Sequence, residues 1–226
     1  MFAFSFFDST PPFCAVVHIA IVDLAPTGGR GCLLHLGLRL PRGGVIFAVI
    51  DGQGRGVDGD HVLFLWGSAL QDSGALPDQR LVATVMSKLG FERAWQARGG
   101  LLDRTPVGDQ HVHAAMVRSG AALGGEQSGH ILSSAHGLSG DGVLTALQLA
   151  TLCHAQGMTL ADWLDHSFKA YPQKLVNVRV PDRARRKGWA DCQPLSDLVQ
   201  QAERSMADDG RVLVRSGARW CALVRA

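Results

Sequence analysis

Strand-like and helix-like segments alternate through the middle of this chain, and this alternation constrains the fold more than any other feature. The apolar runs at 45–50 and 81–85 are rich in β-branched residues and predict strands. Apolar residues recur at helical spacing in 61–70, 89–96 and 143–156, which predicts helices. A chain of this pattern buries both faces of its sheet under helices, so we predict a three-layer α/β/α domain.

A second, smaller module follows. Residues 175–180 alternate apolar and polar side chains with a period of two, which predicts a half-buried strand. A helix-like segment at 195–206 and an alternating run at 211–215 complete the pattern of a small α+β domain. Before position 45 a strand is predicted only at 16–24, and the sequence does not determine the fold of residues 1–44. The predicted boundaries are 45–170 for the first domain and 171–226 for the second, with 1–44 as a segment of uncertain fold.

Composition and charge narrow the class of protein. The 226 residues are 46% hydrophobic and 19% charged, as in globular proteins, and a net charge of +2 is too small to predict a nucleic-acid surface. The basic run at 183–187 is interpreted as a solvated helix start. Five cysteines without a C-x-x-C pair predict reduced thiols in a cytoplasmic chain without a zinc site. The apolar stretch at 13–25 contains His18 and Asp23, so we predict no membrane span.

Polar and glycine residues cluster at 124–130, in the sequence Gly-Gly-Glu-Gln-Ser-Gly-His. Glu126 offers a carboxylate, Ser128 a hydroxyl and His130 an imidazole, while Gly129 permits tight backbone geometry. These groups suit the binding of vicinal hydroxyls on a ligand. An ordinary loop with a helix-capping serine remains an alternative, and a buried structural role for His130 is the commoner one for a histidine after a glycine turn.

Other candidate site residues follow predicted strands. Ser87 and Asp109 come after two of them, and loops gather at strand ends in α/β folds, so both are expected near Glu126. Either residue is also open to a capping role, and Asp109 is placed as the cap of the helix that follows it. In the second module, a guanidinium, a hydroxyl and a glycine amide able to hold an anion follow one another at Arg215, Ser216 and Gly217.

An ordered series of motifs extends from about residue 46 to 217. The series comprises Val57-Asp58-Gly59-Asp60, Thr84-Val85-Met86-Ser87, Val107-Gly108-Asp109, the cluster at 124–130, Gly140-Asp141-Gly142, Tyr171-Pro172-Gln173 and Arg211-Val212-Leu213-Val214-Arg215-Ser216-Gly217. In this order the motifs resemble the α-D-phosphohexomutases, in particular the bacterial branch that acts on glucosamine phosphates. The Gly-Glu-Gln-Ser-Gly-His element is the most specific of them.

The resemblance implies a four-domain parent, of which this chain carries the third domain and most of the fourth, so that the second module is incomplete. It implies an intramolecular phosphotransferase that interconverts glucosamine 6-phosphate and glucosamine 1-phosphate. A phosphoserine in the first domain and a magnesium loop in the second support the transfer through a bisphosphate intermediate. Glu126 and Ser128 would then grip sugar hydroxyls, with Ser87, Asp109, Gly129 and His130 nearby. The loop at 215–217 would hold the non-reacting phosphate.

Departures from the family pattern limit what this chain is expected to do. No Ser-His-Asn-Pro nucleophile motif and no Asp-Gly-Asp-x-Asp-Arg magnesium loop occur in the sequence, and residues 218–221 replace the family's Thr-Glu-Pro. We therefore assign no catalytic residue and no metal ligand, and expect no turnover by the chain alone. The departures at the two ends of the chain suggest a truncated or frame-disturbed gene product. A non-catalytic hexose-phosphate binding module and a gene remnant remain alternatives, and the preferred sugar and the oligomeric state stay open.

Overall fold

The computed structural model describes residues 2–7, 16–23, 32–39, 45–137, 139–216 and 220–225. The chain divides into two compact units. The first comprises Met1–Ser87 and Phe91–Lys169, and the second comprises Lys88–Gly90 and Ala170–Ala226. Within the described ranges, no helix combines the length and the apolar character that a transmembrane segment needs.

The first unit begins with an antiparallel sheet in which each strand pairs with the next along the chain. Its strands are β1 (Phe2–Phe7), β2 (Val16–Asp23), β3 (Cys32–Arg39), β4 (Val45–Ile50) and β5 (Gly56–Val57). The strand predicted at 16–24 is confirmed as β2. The burial proposed for its side chains lies outside the described part of the chain. The predicted strand at 45–50 is confirmed as β4, and its Val49 side chain enters the core.

The rest of the first unit is built on a four-stranded sheet in the order β7-β6-β8-β9. Strand β6 pairs in parallel with both β7 and β8, and β9 joins β8 antiparallel, so the sheet is mixed. The strands are β6 (Arg80–Thr84), β7 (Leu101–Thr105), β8 (Leu123–Gly125) and β9 (Ile131–Ser133). The helices are α1 (Gly59–Asp72), α2 (Leu89–Ala97), α3 (Asp109–Ser119), α4 (Gly142–Gln156) and α5 (Leu160–Asp165).

Both faces of this sheet are buried, which gives three layers. Side chains alternate along a strand, so Leu81 and Ala83 point to one face while Val82 points to the other. Leu81 and Ala83 join the large core that includes α1 and α2 residues. Val82 joins a separate core with α3 residues. The predicted α/β/α architecture is therefore confirmed.

Side-chain caps fix where several helices begin. Asp58 accepts a hydrogen bond from the His61 backbone and starts α1. Asp141 caps α4 and Thr159 caps α5 in the same way. The prediction that Asp109 caps α3 is wrong. Gly108 occupies the cap position with a φ of 129°, and Asp109 is the first residue of the helix.

The second unit is a three-stranded sheet with two helices. Its elements are β10 (Lys174–Arg179), α6 (Arg183–Lys187), α7 (Gln193–Met206), β11 (Val212–Ser216) and β12 (Trp220–Arg225), and the sheet order is β10-β12-β11. The predicted half-burial of residues 175–180 is wrong, because every residue of β10 is exposed. Alternation shows which side chains share a face, but burial needs a covering element, and α7 packs against β11 at the other edge of the sheet.

Candidate functional site

Three loops of the first unit follow the carboxyl ends of parallel strands. Because β6, β7 and β8 run in the same direction, these ends lie at one edge of the sheet. The loop after β6 carries Ser87, the loop after β7 leads to Asp109, and the turn after β8 begins at Glu126. The Val85 backbone N–H donates to the Thr105 carbonyl at 2.9 Å and ties the first two loops together. In α/β folds this edge is where ligands bind.

The polar cluster at 124–130 forms a β-hairpin rather than a single loop. Gly124 and Gly125 lie in β8, paired with β9, and the turn comprises residues 126–130. The Glu126 N–H donates to the His130 carbonyl at 2.9 Å, and the Gly129 N–H donates to the Glu126 carbonyl at 2.9 Å. Gly129 has a φ of 98°, a conformation that L side chains rarely adopt. Two backbone hydrogen bonds therefore close the turn, and its side chains project from this closed backbone.

The Glu126 carboxylate is oriented by a neighbouring loop. Its Oε1 accepts a hydrogen bond of 2.8 Å from the Gly108 backbone N–H. Its Oε2 lies 3.4 Å from the Ser128 hydroxyl, which donates to it. Glu126 is half-buried while Ser128 is exposed. Both side chains are therefore accessible to a ligand, while the hydrogen bond from Gly108 holds Glu126 in place. A carboxylate and a hydroxyl side by side can accept from and donate to adjacent hydroxyl groups of a ligand.

The remaining predicted residues of this unit are placed differently. His130 is half-buried, and its ring packs against the Gly140 backbone. Asp109 is exposed, and its Oδ1 accepts from the Gln110 N–H at 2.8 Å. Ser87 is fully buried, and its backbone N–H donates to the Thr84 carbonyl at 3.0 Å. The structure thus brings Glu126, Ser128 and His130 into one turn, with Asp109 exposed next to Gly108 and Ser87 below the surface.

The anion-binding residues predicted in the second unit lie at the end of a strand. Arg215 is exposed in β11, opposite Ala222 of β12. Ser216 is the last residue of β11 and pairs with Cys221 through the sheet register. Gly217 lies outside the described residues. An exposed guanidinium can bind a phosphate, and here it projects from a strand rather than from a loop.

Helix amino-termini surround the turn at 126–130. Gly59, the first residue of α1, donates its N–H to the Gln127 carbonyl at 3.0 Å. Gly108 caps α3 and donates to Glu126, and Gly140 lies next to Asp141, the cap of α4. The positive end of a helix dipole favours negative charge nearby. Their combined field therefore favours an anionic ligand beside the turn.

The described part of the chain contains no group of side chains arranged to bind a magnesium ion. In those residues, no three His, Cys, Asp or Glu side chains come together in an arrangement that holds a metal. The residues therefore do not fit the magnesium site that the family resemblance implies. No step of a reaction is assigned to a metal on this chain.

Three glycines that contact the turn carry no role in the sequence-based prediction. Gly59, Gly108 and Gly140 each lie within a motif that carries the family resemblance. Each stands beside the start of a predicted helix, which is the local signal that marks them. Their contacts with the turn join residues far apart in sequence, and no local pattern reveals such contacts.

The layered fold and the hairpin turn at its sheet edge define the class of this unit, a three-layer α/β/α domain. The family model described as phosphoglucomutase/phosphomannomutase, alpha/beta/alpha domain III, matches residues 58–171. This match covers half of the chain, and the chain belongs to that family, the α-D-phosphohexomutases.

Relatives of known name support this assignment. The chain is 89% identical over 167 residues to the phosphoglucosamine mutase of Synechococcus sp. strain WH7803, across 74% of this chain and 36% of the relative. It therefore spans about a third of the length of the curated relative that it matches, as a homologous fragment of a phosphoglucosamine mutase.

Solved structures share the fold at low sequence identity. An N-acetylglucosamine-phosphate mutase in a substrate complex has a TM-score of 0.64 at 17% identity, covering 80% of this chain and 43% of that one. The Aspergillus fumigatus N-acetylphosphoglucosamine mutase, in complex with GlcNAc-6P and magnesium, has a TM-score of 0.62 at 18% identity, covering 80% and 46%. At such identities the similarity establishes the fold alone.

Proposed function

We propose that this chain supplies the sugar-recognition part of a phosphoglucosamine mutase-type reaction, with glucosamine phosphate as its ligand. The observation that carries the proposal is the Glu126 carboxylate, held at Oε1 by the Gly108 N–H and accompanied at Oε2 by the Ser128 hydroxyl. High identity to a phosphoglucosamine mutase supports the choice of ligand.

Recognition rests on complementary hydrogen bonds. Oε2 of Glu126 accepts from one sugar hydroxyl, and Ser128, rotating away from its 3.4 Å contact, exchanges hydrogen bonds with the neighbouring hydroxyl. Hydrogen bonds to a charged group contribute about 1.5–3 kcal/mol each, so a single carboxylate can dominate the selection of a hydroxylated ligand. The helix amino-termini around the turn also favour the negative charge of the phosphate.

Arg215 is the residue of the second unit that we assign to phosphate. Its exposed guanidinium carries donors in a fork that matches phosphate oxygens. Ser216 and Gly217 follow it, and their hydroxyl and amide groups would complete the anion contact. Phosphate binding by this trio is weaker than in the family, because the supporting Thr-Glu-Pro sequence is replaced.

We assign the transfer of the phosphoryl group to a second polypeptide, one that carries the family's nucleophilic serine and magnesium loop. The printed sequence contains neither motif. In the family, magnesium neutralises charge on the transferring phosphoryl group. The residues of this chain bind and orient the sugar, so turnover requires the missing groups from another polypeptide.

Complementation in trans tests this proposal. The first two domains of the Synechococcus sp. strain WH7803 phosphoglucosamine mutase are mixed with this chain, and conversion of glucosamine 6-phosphate to glucosamine 1-phosphate is measured. We expect activity with the unmodified chain and at least a tenfold loss with Glu126→Ala. The matched control Glu203→Ala, on the exposed face of α7, should retain activity.

A non-catalytic hexose-phosphate binding module is the second candidate. The lack of the family's nucleophile motif and magnesium loop in the sequence favours it. Binding that depends on Glu126 without restored turnover would support this candidate and contradict the complementing enzyme. Failure of both binding and turnover would leave the gene-remnant interpretation.

A further inference from the structure

The turn at 126–130 is held by backbone contacts from separate elements. Gly59 at the start of α1 meets the turn on its backbone, Gly108 at the cap of α3 meets the Glu126 carboxylate, and Gly140 before α4 meets the His130 ring. Each contact is made by a glycine. At Gly59 and Gly140 a side chain would occupy space that the turn fills, whereas Gly108 has a positive φ of 129°, which favours glycine.

Gly59 makes the closest of these approaches. A Cβ atom on Gly59 would lie 1.9 Å from the Glu126 carbonyl oxygen and 2.9 Å from the Gly129 nitrogen. Both neighbours are backbone atoms, so rotation of a side chain cannot relieve the clash. The Gly59 N–H also donates to the Gln127 carbonyl at 3.0 Å. The backbone of the turn is thus in direct contact with the first residue of α1.

This close approach of Gly59 sets the position of the Glu126 carboxylate. The Gly129 N–H closes the turn onto the Glu126 carbonyl, which is the atom that Gly59 approaches. A shift of that carbonyl moves the Glu126 Cα, and with it the 2.8 Å hydrogen bond between Gly108 and Oε1. A displacement of about 1 Å exceeds the tolerance of a hydrogen bond at this distance.

We propose that Gly59 is a positioning residue: it sets the backbone of the turn so that Oε1 of Glu126 is held by Gly108 and Oε2 is presented to the ligand. The proposal deepens the function proposed above and rests on it for the identity of the ligand. Gly140 supports the same turn on its opposite side, where a Cβ would lie 2.1 Å from Cδ2 of His130. Glu126 therefore acts as part of a preformed site.

The test compares Gly59→Ala with Gly56→Ala in the full chain. Gly56 is the matched control, because a Cβ there meets nothing within 4 Å. The Gly108 amide is followed by NMR, through its chemical shift and its hydrogen-exchange rate. Affinity for glucosamine 6-phosphate is measured by calorimetry on the same samples.

In Gly59→Ala we expect the Gly108 amide to lose its hydrogen bond, with a changed shift and at least tenfold faster exchange, and the affinity to fall at least tenfold. In Gly56→Ala both values should match those of the unmodified chain. A Gly108 amide unchanged in Gly59→Ala would overturn the proposal, whatever the affinity. If the unmodified chain does not bind the sugar phosphate, the proposed ligand is wrong, and the Gly108 amide still decides the role of Gly59.

A second variant covers the case in which Gly59→Ala does not fold. Gly140→Ala presses on the His130 ring close to its own backbone rather than on backbone atoms directly, so this variant is expected to fold. Because the His130 carbonyl accepts from the Glu126 N–H, displacement on this side should also shift the Gly108 amide. An unchanged Gly108 amide in folded Gly140→Ala would contradict a turn positioned by the helix starts.

Discussion

The backbone N–H of Gly108 donates a 2.8 Å hydrogen bond to Oε1 of Glu126, across 18 residues of sequence. This bond joins the loop after β7 to the turn after β8 at the shared edge of the sheet. It fixes one oxygen of the carboxylate and leaves the other beside Ser128. The candidate site is therefore an arrangement of two loops, and its geometry depends on backbone as much as on side chains.

Gly108→Ala should destabilise the first unit. Gly108 has a φ of 129° and a ψ of 130°, and holding an L residue in such a sparsely populated region costs about 1–3 kcal/mol. We expect a loss of about that size in the free energy of unfolding, measured by urea denaturation. Gly56→Ala serves as the control, since its φ is not in that region and the added methyl group has open space. Equal stability of the two variants would show that the backbone at Gly108 is not constrained.

Asp51 links the β4–β5 turn to pH-dependent stability. Burial alone would raise the pKa of Asp51, but hydrogen bonds from the backbone and side chain of Arg55 and from the Gln53 backbone outweigh it and leave the pKa below its ordinary value. The unfolded chain then binds more protons as the pH falls below about 4, so this stabilisation is present above that pH and is lost below it.

Asp51→Asn tests this linkage. The variant should melt at a lower temperature than the unmodified chain at pH 7, and the difference should shrink as the pH falls through the lowered pKa. Asp165→Asn is the control, because it removes the exposed partner of Arg55 and should change the melting temperature little. A difference between Asp51→Asn and the unmodified chain that stays constant down to pH 2 would contradict the pKa assignment.

Cys153 should be unreactive in the folded chain. It is fully buried in α4, and burial raises the pKa of its thiol to about 11. The thiolate is the nucleophile, so alkylation by iodoacetamide at pH 8 should modify Cys153 only after unfolding. The exposed Cys192 provides the internal control and should react in the folded chain. Peptide mass spectrometry measures both, and equal labelling of the two without denaturant would show that α4 is not packed as described.

The raised pKa of Cys153 also has a consequence at high pH. Between the ordinary cysteine pKa of about 8.5 and the folded value, the unfolded chain loses the thiol proton first. Stability should therefore fall as the pH rises through this window.

Ala207→Gly should stabilise the second unit. Ala207 ends α7 with φ 46° and ψ −128°, a conformation that glycine adopts far more readily than alanine. We expect a gain of about 1 kcal/mol in the free energy of unfolding, from denaturation followed by circular dichroism. Ala202→Gly, inside the same helix, should instead lose about 1 kcal/mol. A loss in both variants would exclude the strained backbone at Ala207.

Local chemistry made much of the fold predictable from sequence. Asp58, Asp141 and Thr159 combine a short acceptor side chain with a following apolar run, and each caps the helix that follows it. Asp109 shows the limit of the same rule. The preceding Gly108, with a φ of 129°, occupies the cap position without any side-chain hydrogen bond. Asp109 is therefore the first residue of the helix and not its cap.

Contacts between residues distant in sequence could not be predicted in the same way. The groups on Glu126, Ser128 and His130 are visible in one heptapeptide, but the hydrogen bond from Gly108 and the approach of Gly59 depend on the paired strands. The exposure of β10 was likewise hidden, because periodicity identifies a face without showing what covers it. Gly124 and Gly125 read as loop residues, yet pairing with β9 places them in a strand.

Calorimetric titration of the full chain with glucosamine 6-phosphate tests the central claim most directly. We expect saturable binding with a Kd of about 1 mM or below, as a ligand of this size allows. Glu126→Gln keeps an oxygen for Gly108 but presents an amide donor to the sugar, so it should weaken binding at least tenfold, whereas the control Glu203→Gln should bind normally. Binding that is equal in all three proteins, or absent from the unmodified chain, would contradict sugar recognition by Glu126.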